Sequence, residues 1–368
     1  MSSSALSQSR LLPFSKPPTS VCILRLSAIG DTANIVPVVR AMQQQWPDCS
    51  ITWVIGTGEH QLMQYLQGVE FITFNKRSGW SGLLEFKRKM RGRHFDMLLH
   101  MQAALRASVL SLCIKSPVRL GFDQQRAADY QWLFSNHKIS AQEKGHVLDG
   151  FMAFLAAAGM NDLPLSWQFD VPTEVRNVAL QRLKNSRAFV VINACSSVRK
   201  NNWRNWPVEH YKPVIEYLLN RGFAVVLTGG PVDNERHVAQ QINQQSDGKL
   251  LDLCGQTTLG ELYALLSGAR MLIAPDTGPT HMANLAGTPV VGLYASSNPL
   301  RTGPYRFQKF VANAYPKALL KFMGKNIDQV KWGQRVRHPD AMHLITPEDV
   351  IAKIAMVLDL SQDGQDTH

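Results

Sequence analysis

From Val21 onward, short apolar runs rich in β-branched residues alternate with longer segments whose apolar positions recur every three or four residues. The runs VCILRL (21–26), ITWVIG (51–56), FITF (71–74), FDMLLHM (95–101) and VRLGF (118–122) read as strands. Between them, NIVPVVRAMQQQ (34–45), HQLMQYLQ (60–67), SGLLEFKRKM (81–90) and QAALRASVLSLCI (102–114) carry the i, i+3, i+4 spacing of amphipathic helices. A helical stretch at 146–159 closes this set, and NDLPLSWQFDVPTE (161–174), with two prolines and little periodicity, interrupts the pattern. It restarts with strands at 189–194, 223–230, 249–255, 271–276 and 289–294, and with helices at 207–220, 233–245, 258–269 and 280–287. Such alternation predicts parallel strands joined by helical crossovers, so the expected fold class is α/β with two Rossmann-like halves.

The expected division is a tail at 1–20, a first domain at 21–172, a linker at 173–187 and a second domain at 188–345. Residues 300–345 are irregular, basic and aromatic. A last helix at 346–360, with Thr346 as N-cap and Pro347 at its first position, precedes a frayed tail at 361–368.

Length and composition support this division. A chain of 368 residues exceeds the roughly 250–300 residues at which single cores stop growing. With 45% hydrophobic and 18% charged residues, it reads as soluble, and no apolar run reaches the roughly 18–20 residues of a membrane span. The first twenty residues lack the apolar stretch of a secretory signal. Cys22, Cys49, Cys113, Cys195 and Cys254 are scattered without C-x-x-C spacing, which points to a reduced compartment and away from zinc or a disulfide scaffold. The formal charge of +11 favours anionic partners: nucleic acid, an acidic membrane surface or phosphorylated small molecules.

The stretch MLIAPDTGPTHMANLAGTPVVGLY (271–294) places Asp276, Thr277, Gly278, Pro279 and His281 where a strand hands over to a helix. Ligands of open α/β sheets bind at such carboxyl ends. A glycine there admits close approach to the backbone, and the helix N-terminus suits a phosphate. Asp276 can accept from sugar hydroxyls, and His281 can donate to a phosphate oxygen. The plainer alternative is that Asp276 or Thr277 merely caps the helix.

Together with RLSAIGD (25–31), this stretch resembles the ADP-heptose:lipopolysaccharide heptosyltransferases, the inner-core type I enzymes among them, over about 21–360. The resemblance implies a GT-B fold, two Rossmann-like domains facing each other across a cleft, with acceptor on the N-terminal domain and sugar nucleotide on the C-terminal one. It implies Asp31 as the base that takes the proton of the attacking hydroxyl in an inverting transfer, beside Gly30. The family commonly shows Lys-x-Trp-Pro where this chain has Arg204-Asn205-Trp206-Pro207. Arg204 thus takes the lysine's place after a longer loop, with Ser196 and Ser197 as further diphosphate contacts and Arg199 and Lys200 as added charge.

Gly229, Gly230 and Glu235 are expected to meet the nucleoside, Glu235 holding ribose hydroxyls or else favouring its own helix's first turn; Thr257 and Thr258 would wrap the base. The basic amphipathic segment 75–95, with Lys76, Arg77 and Arg88, and also Arg119, would meet a Kdo-lipid A acceptor at the anionic inner leaflet. No nucleic-acid-binding module accompanies it. No D-x-D triplet occurs, so neither a metal nor a cofactor is expected, ADP-heptose being a substrate. The alternatives are a two-lobed sugar-nucleotide epimerase and a non-catalytic polyanion- or lipid-binding protein. Together these expectations describe a cytoplasmic enzyme peripheral on the inner membrane, of unspecified oligomeric state.

Overall fold

The structure is a computed structural model that describes residues 12–183, 188–196 and 202–359. The chain divides into two compact units between Asp170 and Val171.

The first unit holds a parallel sheet of β1 (Ser20–Leu24), β2 (Ser50–Gly56), β3 (Glu70–Phe74), β4 (Met97–His100), β5 (Val118–Gly121) and β6 (His137–Lys138), in the order β3-β2-β1-β4-β5-β6. Its helices are α1 (Ile29–Gln45), α2 (Thr57–Met63), α3 (Gly79–Met90), α4 (Leu105–Ser111) and α5 (Val147–Ala157). Val21 lies between Ile51 and Met97, and Leu24 between Val54 and His100. Helices cover both faces of these central strands, which is why VCIL and MLLH are continuously apolar or buried rather than alternating. On one face, Phe86 and Met90 of α3 and Ala107 and Leu110 of α4 share a single cluster with Cys22, Leu24, Phe74 and Leu98.

The second unit repeats the plan with β7 (Phe189–Asn193), β8 (Ala224–Thr228), β9 (Leu251–Asp252), β10 (Leu272–Pro275), β11 (Val290–Tyr294) and β12 (Ala312–Asn313), ordered β12-β11-β10-β7-β8-β9. Its helices are α6 (Thr173–Gln181), α7 (Tyr211–Leu219), α8 (Asp233–Gln244), α9 (Leu259–Gly268), α10 (Gly278–Ala286), α11 (Pro299–Thr302), α12 (Tyr315–Met323) and α13 (Pro347–Asp359). Read from its other edge, this order is the same as in the first unit. In each sheet the order in which strands are added therefore reverses once, between β1 and β4 and between β7 and β10, and the carboxyl ends at those two points are where an α/β sheet takes ligands.

Several boundaries differ from expectation. Residues 173–181, expected as linker, form α6, whose Ala179 is fully buried and which packs on α9; the expected linker residues 184–187 lie outside the described residues. Helix α1 begins at Ile29, so Gly30 and Asp31 sit in its first turn and Pro37 falls inside the helix instead of near its start. The strands β6 and β12 are two-residue edges too short to leave a periodic signature, and α12 lies within the stretch expected to be irregular. Thr346 caps α13: its hydroxyl accepts from Asp349 N at 3.2 Å while Asp349 Oδ2 accepts from Thr346 N at 3.0 Å.

Candidate functional site

At the end of β10 the chain turns through Asp276 and Thr277 into α10, with Pro279 in the first turn. Thr277 occupies the N-cap position in extended geometry, yet no side chain caps this helix. The capping explanation for Asp276 and Thr277 therefore fails. Thr280 instead turns its hydroxyl back to Pro275 O at 2.8 Å, fixing the turn from behind. Gly287, at φ 82°, ends the helix in the left-handed conformation that glycine tolerates. What remains at Gly278 is a helix N-terminus with its positive end available to an anion. His281 is buried in the same turn.

Asp276 is itself buried, and its Oδ2 accepts from Ser297 Oγ at 2.9 Å. Arg204 reaches the same residue: its guanidinium donates to Asp276 O at 2.9 Å and lies 3.5 Å from Oδ2. A carboxylate, a guanidinium and an uncapped helix start thus meet at one strand end, the composition needed to hold a hydroxyl-bearing phosphate ester. Ser297 was not anticipated. It follows β11 with no glycine or motif to mark it, and only the pairing of β10 with β11 brings it to Asp276.

The loop carrying Arg204 is built on asparagines. Asn205 Oδ1 accepts from Ser196 N at 2.9 Å, and Ser196 Oγ donates to Asn202 Oδ1 at 2.8 Å. Ser196, expected at the diphosphate, is 1% exposed and spends its hydroxyl inside this loop, so its role is to hold the loop. Ser197, with Arg199 and Lys200, lies outside the described residues. Trp206 is buried against Tyr211 and donates to Ile345 O at 3.0 Å, which anchors the other end of the loop.

Glu235, in the first turn of α8, accepts from Gly230 N at 2.6 Å, and burial raises its carboxyl pKa against the effect of that bond. Its other oxygen is free to accept a hydroxyl. Gly229 has no room for a side chain, since a Cβ there would stand 2.7 Å from Cys254 Sγ and 3.1 Å from Glu235 Oε2. Thr258, expected to touch the nucleoside, caps α9: its Oγ1 accepts from Glu261 N at 3.2 Å and its N donates to Glu261 Oε2 at 2.7 Å. Thr257, beside it, is half-buried. Burial pushes the neighbouring thiols of Cys195 and Cys254 up to about 12 and about 11, which makes them packing groups and not nucleophiles.

In the first unit, Asp31 stands at the end of β1. Its Oδ2 pairs with Arg25 and accepts from Ala28 N at 3.3 Å. Arg25 also donates to Met101 O at 2.6 Å and lies over the Phe151 ring. Both contacts fall on one carboxylate oxygen of a side chain that is 32% exposed; sequence reasoning does not single out Arg25. Gly30 is buried beneath it.

Of the residues expected at an acceptor, Arg77 and Arg88 are exposed. Lys76 is half-buried and bridges Glu59 at 2.8 Å. Arg119 is a correction. Its guanidinium donates to Phe134 O at 3.0 Å, and to Ile114 O, Ser111 O and Ser111 Oγ at 2.8 Å each, so four of its five donors are spent within the unit and its main work is to brace it.

Among the described residues, Glu209, His210 and His343 bring potential metal-ligating atoms within 4.8 Å of one another; two of the three are exposed, and they lie on the turns that lead into α7 and α13. A groove of about 640 Å³ is lined by Phe322, Met323 and the stretch Gly333 to His338. Its wall at Val336 bonds to Ser296 in both directions at 2.9 Å, one residue from the Ser297 that holds Asp276.

The profile of "Glycosyltransferase family 9 (heptosyltransferase)" matches residues 83–323. The chain is 34% identical over 341 residues to lipopolysaccharide core heptosyltransferase OpsX of Haemophilus influenzae, covering 93% of this chain and 97% of that one. The chain belongs to glycosyltransferase family 9. Lipopolysaccharide heptosyltransferase 1 of Escherichia coli K12 is 22% identical over 80% of this heptosyltransferase and 93% of its own length. Solved structures share its fold: the family 9 protein of Veillonella parvula at TM-score 0.74 with 24% identity, covering 92% and 97% of the two chains, and E. coli WaaC with ADP at 0.67 with 20% identity, covering 92% and 98%. These are GT-B enzymes with two parallel-sheet α/β domains, as this family 9 chain has. The matched span of the heptosyltransferase includes Arg204 and the Asp276 loop and excludes Asp31.

Proposed function

We propose that this heptosyltransferase of lipopolysaccharide core biosynthesis moves L-glycero-D-manno-heptose from ADP-heptose to a Kdo residue of the inner core, with Kdo-lipid A as acceptor and inversion at the anomeric carbon. The observation that carries the donor side is Arg204 fastened to Asp276 beside the uncapped start of α10. Support comes also from the relatives, since E. coli WaaC has been solved with ADP and with ADP-2-deoxy-2-fluoro heptose.

In the reaction, the acceptor oxygen bonds to the anomeric carbon as the bond from that carbon to the diphosphate oxygen breaks, and the acceptor proton passes to Asp31. Charge gathers on the departing diphosphate. The α10 N-terminus with Gly278, His281 and Arg204 stabilises it, and Asp276 orients the sugar hydroxyls. Glu235, with Gly229 and Gly230, takes the ribose. No step is assigned to a metal ion or cofactor. The exposed Arg77 and Arg88 attract an acidic acceptor, and the site of action is the cytoplasmic face of the inner membrane.

Incubation with ADP-heptose and a Kdo-terminated acceptor, followed by ADP release and NMR of the product, tests this reading. A new heptosidic bond of anomeric configuration opposite to the donor's, with stoichiometric ADP, is expected. ADP-heptose isomerised without an acceptor would replace it with epimerase chemistry.

A further inference from the structure

We propose that α3, α4 and the 3-10 turn Gln131–Phe134 form one face that docks on an anionic lipid bilayer, inserting apolar side chains among the headgroups. The purpose of this face rests on the reading of a lipid-linked acceptor; its existence does not.

Helices α3 and α4 cover the same face of the first sheet, because Phe86, Met90, Ala107 and Leu110 enter one core cluster. Their outer sides, however, are not polar. Trp80 and Leu84 on α3, Leu105 at the start of α4, Leu112 just past its end, and Trp132 and Leu133 on the 3-10 turn are 54 to 82% exposed. Tyr130 adjoins the last pair. Scattered single leucines are normal on a surface, but among the described residues the three exposed tryptophan and tyrosine side chains all belong to α3 or to the 3-10 turn and the residue before it.

The elements are also tied together. Arg106 of α4 donates to Lys76 O at 2.8 Å, next to the start of α3. Arg119 bonds the end of α4 and the 3-10 turn at once, through Ser111 O and Phe134 O. The apolar tips therefore stand on a braced support.

Charge selects the occupant. Within α3 and just after it, Lys89 pairs with Glu85 and Arg93 with Glu70, whereas Lys87, Arg88 and Arg91 are exposed and make no ion pair among the described residues. Tryptophan, tyrosine and leucine beside unpaired lysine and arginine form the signature of a helix lying in a bilayer interface, where rings sit at headgroup level and cations meet anionic lipid. A protein partner would need an acidic, apolar counterpart; a bilayer containing anionic lipid supplies both over any area. No helix of the described residues is long and apolar enough to cross a membrane, and the attachment proposed is to one surface.

The full chain, without an added tag, is sedimented with phosphatidylcholine vesicles and with vesicles containing phosphatidylglycerol. Binding to the anionic vesicles is expected, decreasing with salt. Each unpaired cation strengthens it about fivefold, so Lys87→Glu with Arg91→Glu weakens it at least roughly 25-fold. Trp132→Ser with Leu133→Ser, and separately Trp80→Ser with Leu84→Ser, abolish binding while leaving ADP-induced thermal stabilisation and turnover on a short water-soluble acceptor unchanged. Vesicle binding undiminished in all three variants, or absent from the wild-type protein, overturns the proposal. So does a change of sedimentation from oligomer to monomer in the serine variants without a change in vesicle binding, which would make this face a subunit interface. Loss of transfer with vesicle binding intact would sink the catalytic reading alone.

Discussion

Arg204 holds Asp276 through its main chain as well as its carboxylate: the guanidinium donates to Asp276 O at 2.9 Å and stands 3.5 Å from Oδ2. The same cation that faces the diphosphate in the proposed reaction thus sets the path of the loop from β10 into α10. Removing it should damage both. Arg204→Ala is expected to lower turnover roughly 10²- to 10³-fold, the usual cost of one preorganised charge-stabilising donor. Arg204→Lys, which keeps the charge but cannot span two acceptors in a plane, should lose less turnover and show weaker ADP stabilisation. Wild-type kinetics in the alanine variant would remove Arg204 from the site.

Asp31 is anchored through one oxygen by Arg25 and Ala28 N. Asp31→Asn preserves size and most hydrogen bonding while removing the proton acceptor, so turnover should fall roughly 10²- to 10⁴-fold. ADP binding, measured by calorimetry, should be unaltered because no donor contact is assigned to Asp31.

Ser297 gives the buried Asp276 carboxylate a hydrogen bond at 2.9 Å. Hydrogen bonds to charged groups are worth about 1.5–3 kcal/mol. Ser297→Ala should lower the melting temperature and raise the KM for the sugar nucleotide more than it lowers kcat, since Asp276 orients the sugar in the ground state and at the transition state alike. A change in kcat alone would show that Asp276 acts only at the chemical step.

His100, at the end of β4, accepts from Gln131 Nε2 at its carbonyl, 2.7 Å, with its Nδ1 2.8 Å from the same amide. Burial lowers its pKa from 6.5 to about 4. The unfolded chain takes up this proton near pH 6.5 and the folded chain only near 4, so stability is lost as pH falls through that window and is unaffected above it. The slope is about 1.4 kcal/mol per pH unit. Urea titrations between pH 7.5 and 4 should show the loss in the wild-type protein and a flatter profile in His100→Gln.

Much of this was legible in the sequence because the repeating strand and helix pattern forces one topology. The apolar runs at 21–24 and 271–275 mark central strands, and the turns that follow them carry Asp31 and Asp276. What periodicity could not show was how polar side chains are spent. Ser196 reads as a phosphate contact until Asn202 and Asn205, six and nine residues on, are seen to consume it. Thr258 fits a base-binding turn and equally the capping box it forms with Glu261. Ser297 and Arg25 carried no signal at all, because their partners are set by neighbouring strands and loops rather than by spacing. Residues 173–181 read as linker because the prolines before them stop the pattern, yet they form a nine-residue helix whose one buried residue, Ala179, goes with its packing on α9.

Arg119 carries a practical warning for mutagenesis. By gathering three carbonyl oxygens and a hydroxyl from the end of α4 and the 3-10 turn, it acts as an internal strut under Trp132 and Leu133. An Arg119 variant would let that support sag, and transfer to a lipid-embedded acceptor would drop as though a substrate contact had been cut. Assays with a short, freely dissolved acceptor would show the chemistry intact, which separates a fallen scaffold from a lost handhold.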